Sequence, residues 1–95
     1  MIMEVAILDI IPGREQDFEK SFSIAQEIIR QMKGYISHQL RHCLERTNRY
    51  ILLVNWETLE DHTIGFRQSP DYQRWKQLLH AFYDPFPEVE HYSEI

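Results

Sequence analysis

Near the middle of the chain, the stretch NWETLEDHTIGF holds a tryptophan and, six residues further on (62 − 56), a histidine. His62 carries an imidazole that titrates near pH 6.5, so it can take or give a proton at neutral pH. Trp56 offers a flat apolar face on which an aromatic ring can stack. Phe66 follows His62 at helical spacing and would extend an apolar wall. His38 sits in an alternating stretch, YISHQLRHCLE, and Tyr83 lies in a segment crowded with Tyr72, Trp75, Phe82 and Phe86. Together these residues suit proton transfer on a small aromatic ligand: His62 as the catalytic acid or base, with Trp56, His38, Phe66 and Tyr83 around the substrate. Each has a plainer alternative. Trp56 could fill a core, His62 could meet water in a first helical turn, His38 could lie at a dimer face, and the aromatic cluster could serve packing alone.

Other chemistries find no support in the residue pattern. His38 and His42 alternate on one strand face, but no third ligand stands at a metal-binding spacing, so no metal site is expected. There is no phosphate-binding glycine loop and no serine elbow. The net charge of −5, with basic residues scattered among acidic ones, argues against a nucleic-acid partner. The longest apolar run, Ile51 to Val54, is far too short for a membrane span. The N-terminal MIMEVAILDI lacks a basic leader and contains Glu4 and Asp9, so a signal peptide is not expected and a cytoplasmic location is. Cys43 stands alone, which precludes an internal disulfide.

The elements that must position these residues follow from hydrophobic period. MEVAILDII, residues 3 to 11, predicts a strand that Pro12-Gly13 ends. Phe18, Phe22, Ala25, Ile28, Ile29 and Met32 recur at helical spacing and predict a helix from Glu15 to Lys33, with Gly34 to release the chain. Residues 35–45 and 49–57 alternate as two strands of a hairpin. Thr58 can cap a short helix, Leu59 to Arg67, that places Leu59, His62, Thr63 and Phe66 on one stripe. Ser69-Pro70 starts another helix, and residues 88–92 read as a last strand after Asp84-Pro85-Phe86-Pro87. This is an α+β order, β-α-β-β-α-β, of a ferredoxin-like single domain over residues 1–95 with a four-stranded antiparallel sheet.

Two helices cover one face of such a sheet, yet the first and third strands are apolar on both faces. Met3, Val5 and Ile7 back onto Ala6, Leu8 and Ile10, and Ile51 and Leu53 back onto Leu52 and Val54. A homodimer with facing sheets would bury the surplus face; a C-terminal arm folded over it is the alternative.

Pro12-Gly13-Arg14-Glu15 with Phe18, then Gly34-Tyr35, then Trp56-Glu57 with Leu59 and His62, resemble in order and spacing the antibiotic biosynthesis monooxygenase (ABM) domains over nearly the whole chain. That resemblance implies a dimeric α+β barrel with a ligand cavity between each sheet and its helices. Its members include oxygenases of phenols and quinols that need no cofactor, haem-degrading enzymes, and an isomerase of a signalling sugar derivative. Haem-degrading members carry an Asn on the first strand, which has none here, and an iron-binding His further along the second helix than His62. Polyketide oxygenases of the family pair a strand Trp, matched by Trp56, with a Tyr at about the position of His62. The expectation is therefore a cofactor-independent monooxygenase of a small phenol- or quinol-type substrate, with a non-catalytic small-molecule-binding or structural dimer domain as the alternative.

Overall fold

A computed structural model describes residues 1–95. Four strands, β1 (Ile2–Asp9), β2 (Tyr35–His42), β3 (Arg49–Trp56) and β4 (Val89–Ser93), form one antiparallel sheet in the order β2-β3-β1-β4. Helices α1 (Glu15–Ile29) and α2 (Pro70–Leu79) pack on one face. A π-helical turn, Asp61–Phe66, and a short 3-10 turn, His80–Phe82, link the last elements. The architecture is the ferredoxin-like α+β fold expected from the element order. No helix is long and apolar enough to cross a membrane.

The core lies between helices and sheet because the apolar residues have the right periods. On α1, Phe18, Phe22, Ala25, Ile28 and Ile29 are all buried. Complete burial of Phe18 contributes on the order of 2–3 kcal/mol. On the sheet, Ala6, Leu8 and Ile10 face Tyr50, Leu52, Val54 and Trp56 in the same cluster. α1 ends at Ile29, four residues short of the expected Lys33, and Arg30 to Gly34 form turns. Ser69 caps α2 by accepting a hydrogen bond from the Tyr72 amide at 3.2 Å, with Pro70 at the first helical position. β2 ends at His42, so Leu44, expected on the strand, is 92% exposed.

Register decides which side chains reach the helices. β1 pairs with β3 from Ile2 opposite Trp56 to Asp9 opposite Arg49. At that last pair Arg49 donates twice to Asp9, Nε to Oδ1 at 2.8 Å and Nη2 to Oδ2 at 3.0 Å. The guanidinium holds the Asp9 carboxyl below its usual range. A one-residue slip would break this fork and turn every β1 side chain over. An irregularity between Tyr35 and Ser37 sets Ile36 aside, 46% exposed. As a result Tyr35 joins His38 and Trp56 on the helix side, where strict alternation would have sent it to the other.

The opposite sheet face stays uncovered by this chain. Val5, Met3, Ile51 and Leu53 are half-buried, and Ile7 and Tyr92 are 40% and 53% exposed. The C-terminal arm does not fold over it: Phe86, Pro87 and Glu88 line the cavity on the helix side.

Gly34 connects the fold to the site. Its φ is +82°, and a Cβ there would overlap the Asp61 side chain at the start of the π-helical turn. Its carbonyl accepts the Glu57 amide at 2.8 Å. Gly34→Ala is expected to lower stability by about 2 kcal/mol through backbone strain and the clash. Chemical denaturation checks this; unchanged stability would contradict the close approach.

Candidate functional site

The site is built where β1, β3, β4 and the π-helical turn meet. Thr58 Oγ1 accepts the Asp61 amide at 3.2 Å and caps the turn, as its position in the sequence suggests. Within the turn the Arg67 amide reaches back five residues to the His62 carbonyl at 3.1 Å. This wider winding carries His62 and Phe66 inward, 3% and 2% exposed. Leu59, expected on the same buried stripe, is 39% exposed.

His62 lies nearly parallel to Trp56, ring centres 5.3 Å apart and planes 21° from each other. Beneath them is a residue the reading of motifs passed over, Glu4. It occupies the buried face of β1 with Ala6 and Leu8 and is 6% exposed. Trp56 Nε1–H donates to Glu4 Oε1 at 3.0 Å. His62 Nε2 lies 3.2 Å from the same oxygen. His62 Nδ1 lies 2.8 Å from Nε2 of His91, which stands opposite Glu4 on β4. With Glu4 ionised, or protonated on Oε2, every group is satisfied when His62 Nε2–H donates to Glu4 and His91 Nε2–H donates to His62 Nδ1. The signal for Glu4 was in the sequence, as a lone carboxylate on the inward face of an apolar strand.

Burial disfavours charge on both central groups. It raises Glu4 from 4.5 to about 7, against the Trp56 hydrogen bond and the charge of Arg67. It lowers His62 from 6.5 to about 3, helped by Arg67 and His91. The contact between them is thus a hydrogen bond from a neutral imidazole, not an ion pair. His62, expected as the catalytic acid or base, has a partner at each ring nitrogen, Glu4 and His91, and burial disfavours its protonated form.

Glu4 and His62 form part of the wall of a cavity of about 630 Å³. Phe66, Trp75, Tyr83 and Phe86 supply aromatic walls, with Tyr72 and His80 beside them. Arg67, exposed, adds a positive charge. Burial raises the Tyr83 hydroxyl well above its ordinary value. No three His, Cys, Asp or Glu side chains are grouped to hold a metal ion.

The model of the family described as antibiotic biosynthesis monooxygenase, ABM, matches residues 1–78. The chain belongs to the ABM family. Its β4, with His91, and the segment carrying His80 and Tyr83 lie beyond the matched residues. The uncharacterized protein YczJ from Bacillus subtilis (strain 168) is 58% identical over 95 residues, the whole of both chains. The crystal structure of a candidate antibiotic biosynthesis monooxygenase from Bordetella bronchiseptica aligns with a TM-score of 0.94 at 35% identity, covering 99% of this chain and 96% of that one. SnoaB, a cofactor-independent oxygenase from Streptomyces nogalater, aligns with a TM-score of 0.83 at 18% identity, covering 99% and 92%. At that identity the likeness to SnoaB is one of fold.

Of the residues singled out from sequence, the ABM fold brings His62, Phe66 and Tyr83 to one cavity. Trp56 is 0% exposed and stands behind His62, outside the lining. His38 belongs elsewhere. Its Nδ1 is 2.6 Å from Tyr35 Oη and its Nε2 3.1 Å from Gln26 Oε1. It lines a separate groove of about 470 Å³ between α1 and β2, with Phe22, His42 and Tyr50.

A carboxyl with a raised folded value stabilises fully below 4.5, and that contribution is lost as pH climbs through about 7. A histidine with a lowered value does the reverse, losing stability as pH falls from 6.5 toward about 3. Glu4→Gln keeps an acceptor for Trp56 and cannot ionise. It should therefore be more stable than wild type above neutral pH, by up to about 3 kcal/mol. Thermal unfolding across pH checks this; the gap should open above 4.5 and level off past about 7. A gap that does not depend on pH would contradict the assignment.

Proposed function

We propose that this chain is a cofactor-independent monooxygenase of a small aromatic substrate of the phenol or quinol type. The observation that carries the reading is an aromatic-walled cavity with a buried carboxyl, Glu4, hydrogen-bonded to His62, in its wall. Membership of the ABM family and the oxygenase named among its structural neighbours support it. A phenol with a free para position contains all the electrons the reaction needs. Phenol plus O2 gives quinone plus water: one oxygen atom enters the ring and the other leaves as water, after loss of the ring hydrogen and the hydroxyl hydrogen. Deprotonation raises the electron density of the ring and lets it reduce O2. Phe66, Trp75 and Tyr83 hold the ring and keep water from the reactive intermediate. In this reading residues 1–95 work as one domain, and His38, in its own groove, takes no part in the substrate cavity.

The working unit in this reading is a homodimer. The uncovered sheet face, with Ile7 and Tyr92 exposed beside Val5 and Leu53, is the surface that a second copy would bury. The second reading, a non-catalytic small-molecule binder, has in its favour only that His62 is not a free base.

With 1-naphthol under air, wild-type protein is expected to consume O2 and form 1,4-naphthoquinone without releasing hydrogen peroxide. Phe66→Ala, which removes a wall, is expected to raise KM at least about tenfold. An oxygen electrode and product chromatography read both; tight naphthol binding without O2 consumption would favour the binder. Sedimentation at micromolar concentration is expected to give the dimer mass, and a stable monomer would contradict the proposed interface.

A further inference from the structure

The two oxygens of the Glu4 carboxyl have different surroundings. Oε1 has both protein partners, Trp56 Nε1 and His62 Nε2. Oε2 has no protein partner, and it is not enclosed by protein either, although Glu4 as a whole is 6% exposed. Glu4 lines the cavity, and Oε2 is the oxygen that no protein group engages, so it is the one left to meet a ligand there. We infer that Glu4 is a catalytic residue: its free oxygen, Oε2, takes the acidic hydrogen of a phenolic substrate in the cavity, while Trp56, His62 and His91 are positioning residues behind it. This rests on the proposed monooxygenase reading for its substrate class.

The step is a single proton transfer. The substrate O–H bond breaks, an O–H bond forms on Oε2, and the electron pair stays on the substrate oxygen. The network behind Glu4 fits this task in either protonation state. Oε1 accepts from Trp56 and His62 whether or not Oε2 carries a proton, so the proton comes and goes without rearranging the hydrogen bonds. The raised value of about 7 places Glu4 where a base works best near neutral pH. The groups around it act in both directions. Arg67, from the π-helical side, favours the carboxylate. His62 and His91, both lowered by burial, stand behind the carboxyl as hydrogen-bond partners. Tyr83, whose hydroxyl burial raises, and Tyr72 line the cavity, and Glu88 and Glu90 stand at its β4 side.

The test needs no turnover. Affinity for 2-naphthol and for its methyl ether, 2-methoxynaphthalene, is measured by calorimetry between about pH 5.5 and about pH 8.5. For wild type, 2-naphthol is expected to bind about tenfold more tightly at the high end, because its hydroxyl then donates to a carboxylate. The midpoint should fall at about 7. The methyl ether should show no such change. Glu4→Gln should flatten the naphthol profile, and His62→Phe, which removes a donor to the anion, should move its midpoint upward. Identical profiles for the two ligands on wild type would overturn the inference, and that comparison needs no variant. So would a Glu4→Gln profile like that of wild type, or failure of both ligands to bind. If the binding signature holds and no phenol supports O2 uptake, the monooxygenase reading fails while the role of Glu4 as proton acceptor stands.

Discussion

One hydrogen bond ties the sheet to the site: the indole N–H of Trp56 donating to the buried carboxyl of Glu4. A carboxyl placed on the inward face of a strand is costly unless its oxygens are paired. Trp56 supplies that pairing from β3, and His62 supplies it from the π-helical turn. Both depend on register. Ile2 stands opposite Trp56, so Glu4 lies diagonally across from the indole, within reach of its nitrogen. The Arg49–Asp9 fork at the other end of the same pair of strands holds that register in place.

The π-helical turn matters for the same reason. A regular helix entered at Thr58 would have spread Leu59, His62 and Phe66 along one face. The wider turn instead buries His62 and Phe66 and leaves Leu59 39% exposed. Gly34 makes room for the start of this turn, because only a residue without Cβ fits beside Asp61 there. β4 then completes the network, since His91 comes into line with Glu4 through strand pairing alone. The catalytic reading therefore draws on β1, β3, the π-helical turn, α2 and β4, a strand that lies beyond the residues matched by the ABM model.

The strands, the two main helices and the Ser69 cap were legible in the sequence because hydrophobic period and turn residues determine them locally. Ser69-Pro70 and Thr58 do what their positions suggest. A strand end followed by a helical stripe suggested that Trp56 and His62 approach one cavity; the two rings stack, with Trp56 behind His62 and outside the lining. What was not legible was which polar groups join them. Glu4 is 52 residues from Trp56 and His91 is 29 from His62, so their contacts are set by sheet register, which no local pattern encodes. His38 lies in a different groove for a related reason. It shares the helix-facing side of the sheet with Trp56, but β2 is at the sheet edge and α1 stands above it, so its neighbours are Phe22 and Gln26.

The central claim is that Glu4 is held near its neutral form by burial yet keeps one oxygen free for a ligand. Infrared titration of the protein with isotopically labelled glutamate, compared with Glu4→Gln to isolate one carboxyl, measures this most directly. The account predicts that the protonated-carboxyl band of Glu4 persists well above the usual carboxylate range and disappears around pH 7. A Glu4 band lost near the ordinary value of 4.5 would contradict it.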